Sequence, residues 1–386
     1  MTPSKHLSWT ENDTEHTALW RSDQVLPARV VLADDTLSAD SAYRLACEGT
    51  GLLWRGDFQN ARQLLQALAR RIDKSVQARA KKSTTTPSPM PGAAFHQHRQ
   101  AQAQRTRVLS QVLIELAPDY GIGLRRAPDA RQACAQAFGQ PSEQRSVISL
   151  RALQGVIGAF EWRKNGVPVP ELGENLRVHP HYGVFSPVRG EYVALVMQAP
   201  LPQAFRSAHT AFDIGVGTGV LTAVLARRGA RHIVATDLSE QALACARDNL
   251  QRLGLQNHVQ LLQADLFPPG KAALIVCNPP WLPARATSQL EQAVYDEGSQ
   301  MLKGFLSGLA AHLLEGGEGW LILSDIAEHL GLRTRQELLD WIAQAGLTVV
   351  ARHDAQPTHP KAQDTHDPLH VARSREVTSL WRLASV

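Results

Sequence analysis

Asn278, Pro279, Pro280 and Trp281 follow directly on the apolar run ALIVC, and their types fit one kind of chemistry. Two consecutive prolines fix an extended backbone and remove two N–H donors, which leaves carbonyls pointing outward. An asparagine oxygen beside such a carbonyl gives two acceptors aimed at one point. That geometry suits an –NH₂ group, both of whose protons can be accepted while the nitrogen lone pair stays free. An aromatic ring at Trp281 can stack on a planar amide or base. The bland alternative is a proline-rich turn around a buried tryptophan.

A second constellation lies upstream. In AFDIGVGTGVLTAVLARRG an apolar strand ends at Phe212 and Asp213, and Gly215, Gly217 and Gly219 alternate before an amphipathic helix. Glycines belong there because the backbone must turn sharply and approach a ligand more closely than a Cβ allows. Val220 stands where a dinucleotide fingerprint has its third glycine, which argues against a nicotinamide or flavin site and so against an oxidoreductase. No GKS or GKT follows, so the loop is not a P-loop. Asp237 closes the next strand, HIVATD, where a carboxylate can accept from two ribose hydroxyls. Asp265 closes the third, in LLQADLF, within reach of an adenine amino group. Taken singly, these are a turn glycine, a helix cap and a loop acid. Three successive strand ends point instead to a nucleoside cofactor.

These residues resemble the class I S-adenosylmethionine-dependent methyltransferases, whose first motif is an acid followed by GxGxG. The resemblance covers roughly residues 175–386. It implies S-adenosyl-L-methionine as cofactor, lying across the carboxyl ends of the first strands. It places Asp213, Gly215, Gly217, Gly219, Asp237, Leu238, Asp265, Leu266 and Asn278 at that cofactor. NPPW looks like the [Asn/Asp/Ser]-Pro-Pro-[Tyr/Phe/Trp] motif of enzymes that methylate planar nitrogens. By resemblance, Asn278 and the Pro279 carbonyl position the target nitrogen, Pro280 stiffens the corner and Trp281 stacks on the target. In-line transfer from a sulfonium to nitrogen needs no strong base, because positioning and desolvation supply most of the rate. AVYDEGSQMLKGFL at 293–306 is similar to the segment after this motif in release-factor glutamine methyltransferases. HPHYGVFSPVRGEYVALV at 179–196 sits where that family and the "methyltransferase small" group place a hairpin. Its SPVRGEY departs from the Pro-Arg-Pro-Glu-Thr-Glu string of the glutamine enzymes, with Arg189 and Glu191 as candidates for shaping the pocket and meeting substrate.

The elements that must position these residues alternate from Thr210 onward. Strands are expected near 210–214, 232–236, 258–262, 272–277, 319–324, 347–352 and 377–383, with helices between most of them. This is an α/β, Rossmann-like parallel sheet, and the last two strands pair antiparallel because no helical pattern separates them. The resemblance makes it the seven-stranded class I methyltransferase sheet. Ahead of it, helices are expected at about 60–82, 95–116 and 128–139, giving a mainly helical N-terminal domain for substrate recognition over 1–170 and a methyltransferase domain over 171–386. Short apolar runs at Val156–Trp162, Leu176–Val178 and Tyr192–Met197 read as a connecting hairpin, and the Ser/Thr/Pro-rich stretch about 83–94 as a flexible loop.

Composition fits two globular domains: 386 residues, 44% hydrophobic and 20% charged. Four scattered cysteines form no CxxC pair, and no apolar run is long enough to span a bilayer. The N-terminus has no apolar core of a signal peptide, so a cytoplasmic protein with no membrane contact is expected. Residues 51–150 carry 15 basic against 6 acidic side chains. Such a balance can follow a nucleic-acid backbone, and FHQHRQAQAQRTR at 95–107 is the best candidate, although an exposed helix face has the same composition. His353, His359, His366 and His370 cluster with Asp364 and Asp367. Pro357, Pro360 and Pro368 argue against a regular helix there, so a solvated loop near the substrate is expected and no metal site. The expected substrate is macromolecular: the glutamine amide of a translation protein, or alternatively an exocyclic base amine of ribosomal RNA or DNA. A non-catalytic cofactor-binding RNA or assembly module is the reading of another class.

Overall fold

The computed structural model describes residues 5–82, 92–287, 289–357 and 367–386. The chain divides into two compact units, Met1–Pro89 with His96–Glu161, and Met90–Phe95 with Trp162–Val386. Most of the stretch expected as a flexible loop, and His359, Asp364 and His366, lie outside the described residues.

Elements of the first stretch are β1 (His6–Glu11), β2 (Thr14–Trp20), β3 (Arg29–Ala33), α1 (Ala39–Cys47), β4 (Thr50–Trp54), α2 (Phe58–Lys82) and α3 (Ala93–Leu109). They continue with β5 (Val112–Leu116), α4 (Arg131–Phe138), β6 (Ser146–Ser149) and α5 (Leu150–Asn165). Helices hold more residues than strands here, but the frame is a six-stranded sheet ordered β1-β2-β6-β5-β4-β3. The helix expected over 95–116 stops at Leu109, and VLIEL becomes strand β5, paired with β4 and β6. Five residues are too few to distinguish helical from strand periodicity, so burial decided the matter: Val112, Leu113, Ile114 and Leu116 are all in the core.

The second stretch opens with β7 (Val167–Pro168) and β8 (Arg177–Val178), which pair antiparallel as a very short hairpin. The other two runs read as extended are helical: Val156–Trp162 lies in α5, and Tyr192–Met197 in α6 (Glu191–Gln198). β-branched content misled there, because a helix packed on a sheet can override a modest strand propensity. Next come α7 (Gln203–Ala208), β9 (Thr210–Ile214), α8 (Val220–Arg227), β10 (His232–Asp237), α9 (Glu240–Arg252), β11 (Val259–Gln263) and β12 (Ala272–Cys277). The chain finishes with α10 (Gln289–Gln292), α11 (Gln300–His312), β13 (Leu313–Ser324), α12 (Ile326–His329), α13 (Arg335–Gln344), β14 (Leu347–Ala355), α14 (His370–Arg373) and β15 (Thr378–Ser385).

The sheet runs β11-β10-β9-β12-β13-β15-β14, and only β15 is reversed, antiparallel to both neighbours. All seven strands lie where the sequence pattern puts them. β12 shows how the core is built, since every residue of AALIVC is buried. Ala273, Leu274 and Val276 enter a cluster with side chains of α6 and α8, whereas Ala272, Ile275 and Cys277 meet α11 and α13. From Leu274 to Cys277, past an irregularity in the pairing after Ala272, alternate residues serve opposite faces of a helix-covered sheet. Each fully buried Leu, Ile or Val contributes about 1.5–3 kcal/mol, which makes β12 a rigid base for whatever follows it.

Candidate active site

β9 and β12 are parallel neighbours, and Ile214 pairs with Cys277. Gly215 and Asn278 are the next residue on each strand, so strand register alone sets the glycine loop beside the NPPW corner. On the far side β10 pairs with β9, placing Thr236 opposite Ile214, and Asp237 pairs with Gln263 of β11. The strand order reverses between β9 and β12, the crevice where open α/β sheets bind ligands.

The glycine loop is tied down by backbone bonds: the Gly215 and Val216 N–H groups both donate to the Thr236 carbonyl, at 2.9 and 2.8 Å. Gly217 and Gly219 have φ of +51° and +81°, in the left-handed region that glycine enters without cost. A Cβ on Gly219 would stand 3.3 Å from Ala246 Cα, so this glycine lets the loop lie against α9. A Cβ on Gly217 would meet nothing nearer than the Gly215 oxygen at 4.0 Å. The space in front of Gly217 is open, as a ligand cradle must be.

Asp213 lies under this loop, 1% exposed. Its Oδ2 accepts from Thr222 Oγ1 at 2.6 Å, while Oδ1 is buried without a partner. Burial pushes the carboxyl up to about 6. Glu191 is also buried, with both carboxylate oxygens unpartnered. The neighbouring Tyr192 hydroxyl is pushed up by burial and then by the charges of Asp213, Glu191 and Glu171, so three acids surround one aromatic. Buried acids without partners are costly unless a cation or donor completes them. These residues fit a cofactor that carries a sulfonium and an ammonium.

Asp237 divides its oxygens between backbone donors: Oδ2 accepts from Gly217 N–H at 3.1 Å and Oδ1 from Ser239 N–H at 2.9 Å. It therefore fastens the glycine loop to the start of α9, leaving the second lone pair of each oxygen. Its carboxyl is raised by burial. Leu238, beside it, is 65% exposed, unusual for a leucine in a core-facing connection. Leu266 has φ of +67° and its carbonyl accepts from Thr236 Oγ1 at 2.5 Å, which links the ends of β10 and β11. Asp265 stands exposed beside it.

At the corner, Pro279 is buried and Asn278, Pro280 and Trp281 are half-buried. The Trp281 indole N–H donates to Asn278 Oδ1 at 2.9 Å, and the ring packs against both hydrophobic clusters. The Arg189 guanidinium lies over that ring, 5.9 Å from its centre. Cys277 is fully buried and its thiol is pushed well above the usual range, so it is no nucleophile. Asp296 is a residue that sequence reasoning passed over. Its two oxygens accept from the Met301 and Leu302 N–H groups at 3.1 and 3.2 Å, and its own N–H donates to the Leu282 carbonyl at 2.8 Å. It thereby anchors the start of α11 to the residue after Trp281. The DEG triplet within AVYDEGSQ was the available signal.

His353 lies in β14 and His370 opens α14, and among the described residues no His, Cys, Asp and Glu group could hold a metal. No helix among the described residues is long and apolar enough to cross a membrane.

Residues 175–335 match the family described as methyltransferase small domain. The chain is 33% identical over 136 residues to a release factor glutamine methyltransferase of Cereibacter sphaeroides, covering 32% of this chain and 48% of that protein. It is 38% identical over 119 residues to the protein of the same name in Moorella thermoacetica, covering 29% and 42%. With a ribosomal protein L11 methyltransferase of Pelotomaculum thermopropionicum it shares 27% over 249 residues, 59% of this chain and 76% of that one. It thus spans about half the length of the two release-factor relatives. A solved methyltransferase of Pyrococcus furiosus aligns with a TM-score of 0.40 and 16% identity over 60% of this chain and 98% of its own, too distant to add to the argument. Together with the seven-stranded order, the glycine loop and the acids at its strand ends, the match makes residues 175–335 a methyltransferase small domain of the class I S-adenosylmethionine-dependent methyltransferases.

Proposed function

We propose that the whole chain is an S-adenosylmethionine-dependent N-methyltransferase acting on the side-chain amide of a glutamine in a translation protein, in the cytoplasm. The observation that carries this reading is the Ile214–Cys277 pairing, which sets the open space before Gly217 beside the Asn278 acceptor. The names of the release-factor relatives support glutamine as the target.

When bound, S-adenosylmethionine supplies an electrophilic methyl on sulfur. This chain's residues do the rest. The buried carboxylates of Asp213 and Glu191 would order the glycine loop and lend negative charge to the side of the pocket that takes the cationic amino-acid end, while the remaining lone pairs of Asp237 would accept from ribose hydroxyls. Leu238 and Leu266 give the adenine an apolar border, with Asp265 at its amino edge. Asn278 Oδ1 and the Pro279 carbonyl accept the two amide protons of the target and hold its nitrogen for in-line attack. No side chain needs to remove a proton before transfer, and none at the corner is a strong base, so the surplus proton on the methylated nitrogen would pass to water after the transfer. The catalytic contribution is alignment, which in well-oriented systems is worth up to about 7–11 kcal/mol. The N-terminal unit, preceding the catalytic one, is proposed to recognise the substrate.

The test is incubation with methyl-labelled cofactor and fractions of release factors and ribosomes, followed by separate protease and nuclease digestion. Label retained on a glutamine-containing peptide carries the proposal. Label released by nuclease refutes it in favour of an exocyclic base amine, the reading that the basic composition of 51–150 would then explain.

A further inference from the structure

Glu376 stands just ahead of β15, 3% exposed, and is distant in sequence from every motif named so far. Its Oε1 accepts two hydrogen bonds, from Arg189 Nη1 at 2.9 Å and from Ser324 Oγ at 2.8 Å. Ser324 ends β13, and its Oγ also accepts from the Ile326 N–H at 3.0 Å. The hydroxyl proton is therefore committed to Glu376, and the carboxylate is fixed on one side by the sheet. On its other side it holds Arg189, the one cation paired with it among the described residues. Arg189 lies over Trp281, and Trp281 donates to Asn278. A continuous chain thus runs Ser324, Glu376, Arg189, Trp281, Asn278.

We infer that Glu376 and Arg189 are positioning residues that act through Trp281 to set the orientation of the Asn278 amide. An asparagine side chain at the mouth of a crevice can present either its oxygen or its NH₂, and only the oxygen accepts a proton from the target. The indole N–H selects the oxygen, occupying one lone pair and leaving the other for the substrate. The indole can do this only while its ring is held, and a guanidinium over the ring face holds it through cation–π attraction. Arg189 is itself a long, flexible side chain unless a buried carboxylate fixes it. Tryptophan at this position of the motif thus supplies an N–H that tyrosine and phenylalanine lack in the ring plane. The inference rests on the proposed N-methyl transfer only for its kinetic consequence.

Two measurements test it. In ¹H–¹⁵N spectra of the full chain, the Trp281 indole signal is the one lost in Trp281→Phe. It is expected to shift in Asn278→Ala and also in Glu376→Gln, with the other indole signals unmoved. An indole signal that stays in place in Glu376→Gln overturns the relay, whatever the enzyme's activity. In turnover assays, Glu376→Gln and Trp281→Phe are each expected to lower kcat roughly tenfold while the affinity for S-adenosylhomocysteine stays within about twofold. The double variant should be about as slow as either single one, since both losses pass through Asn278. Losses that multiply to roughly a hundredfold refute the coupling. Should Glu376→Gln fail to fold, Ser324→Ala takes its place in both comparisons. A wild-type protein that binds S-adenosylhomocysteine but methylates nothing refutes the functional reading alone, and the spectra still decide the relay.

Discussion

Asp213→Asn separates the stability of this domain from its proposed function. Asp213 is fully enclosed, and its carboxyl is raised from an ordinary 3.8 to about 6. The folded state therefore holds the proton more tightly than the unfolded chain does. Between those two values the folded form binds more protons, so stability falls as pH rises, and the full penalty is present above the folded value. The difference of about 2 pKa units corresponds to about 3 kcal/mol in the ionised state. Roughly half of this develops between pH 5 and pH 8. Asparagine keeps an acceptor for Thr222 Oγ1 but has no charge to bury. The stability of wild type minus variant, without cofactor, should accordingly decrease by about that amount from pH 5 to pH 8, or roughly 3–5 °C in melting temperature for a domain of this size. Reading the difference removes all groups common to both proteins. S-adenosylhomocysteine should reverse the ranking: the enclosed negative charge of Asp213 attracts its ammonium through the glycine loop and the neutral amide of the variant does not, with affinity lost on the order of tenfold. Wild-type affinity should weaken as pH falls below about 6, where binding must first expel the Asp213 proton. A pH-independent difference in melting temperature, or equal affinity in the two proteins, refutes the reasoning.

Asn278→Ala is expected to reduce methyl transfer at least about a hundredfold with S-adenosylhomocysteine affinity nearly unchanged, as judged by label transfer and calorimetry. Gly217→Ala places a methyl in the open cradle at a φ of +51°. It should cost only about 1 kcal/mol in urea unfolding but more than tenfold in cofactor affinity. In the N-terminal unit, Asp57 Oδ2 accepts from Arg125 Nε at 2.8 Å and Arg126 Nε at 2.7 Å, and the guanidinium bond of Arg126 leads in holding its carboxyl down to about 2. Its stabilising effect is present above the unfolded value and is lost as pH falls toward about 2. The urea midpoint of wild type should therefore rise above that of Asp57→Asn from pH 2 to pH 5 and stay parallel beyond, and identical midpoints across that range would remove the ion pair from the account.

The N-terminal sheet was the least legible part of the fold. VLIEL and LLW are short apolar runs, the first directly behind a helical stretch, and their pairing partners lie far away in sequence. Strand β6 was missed for the same reason, being four residues long and buried throughout. Opposite errors at Val156–Trp162 and Tyr192–Met197 came from reading β-branched composition without knowing that each segment packs along a sheet as a helix.

Everything encoded at fixed, local spacing could be read from the residues in order. Seven strand positions, the glycines that must turn, the acids that end strands and the NPPW corner are set by neighbours within a few residues, where periodicity and backbone sterics act directly. Tertiary structure alone decided which atoms were left without partners and which distant groups share one oxygen. The orphaned Oδ1 of Asp213 and the convergence of Ser324 and Arg189 on Glu376 depend on strand register and on burial. Both arise only when segments far apart in the chain, as Arg189 and Glu376 are, exclude water together, and no local pattern records that.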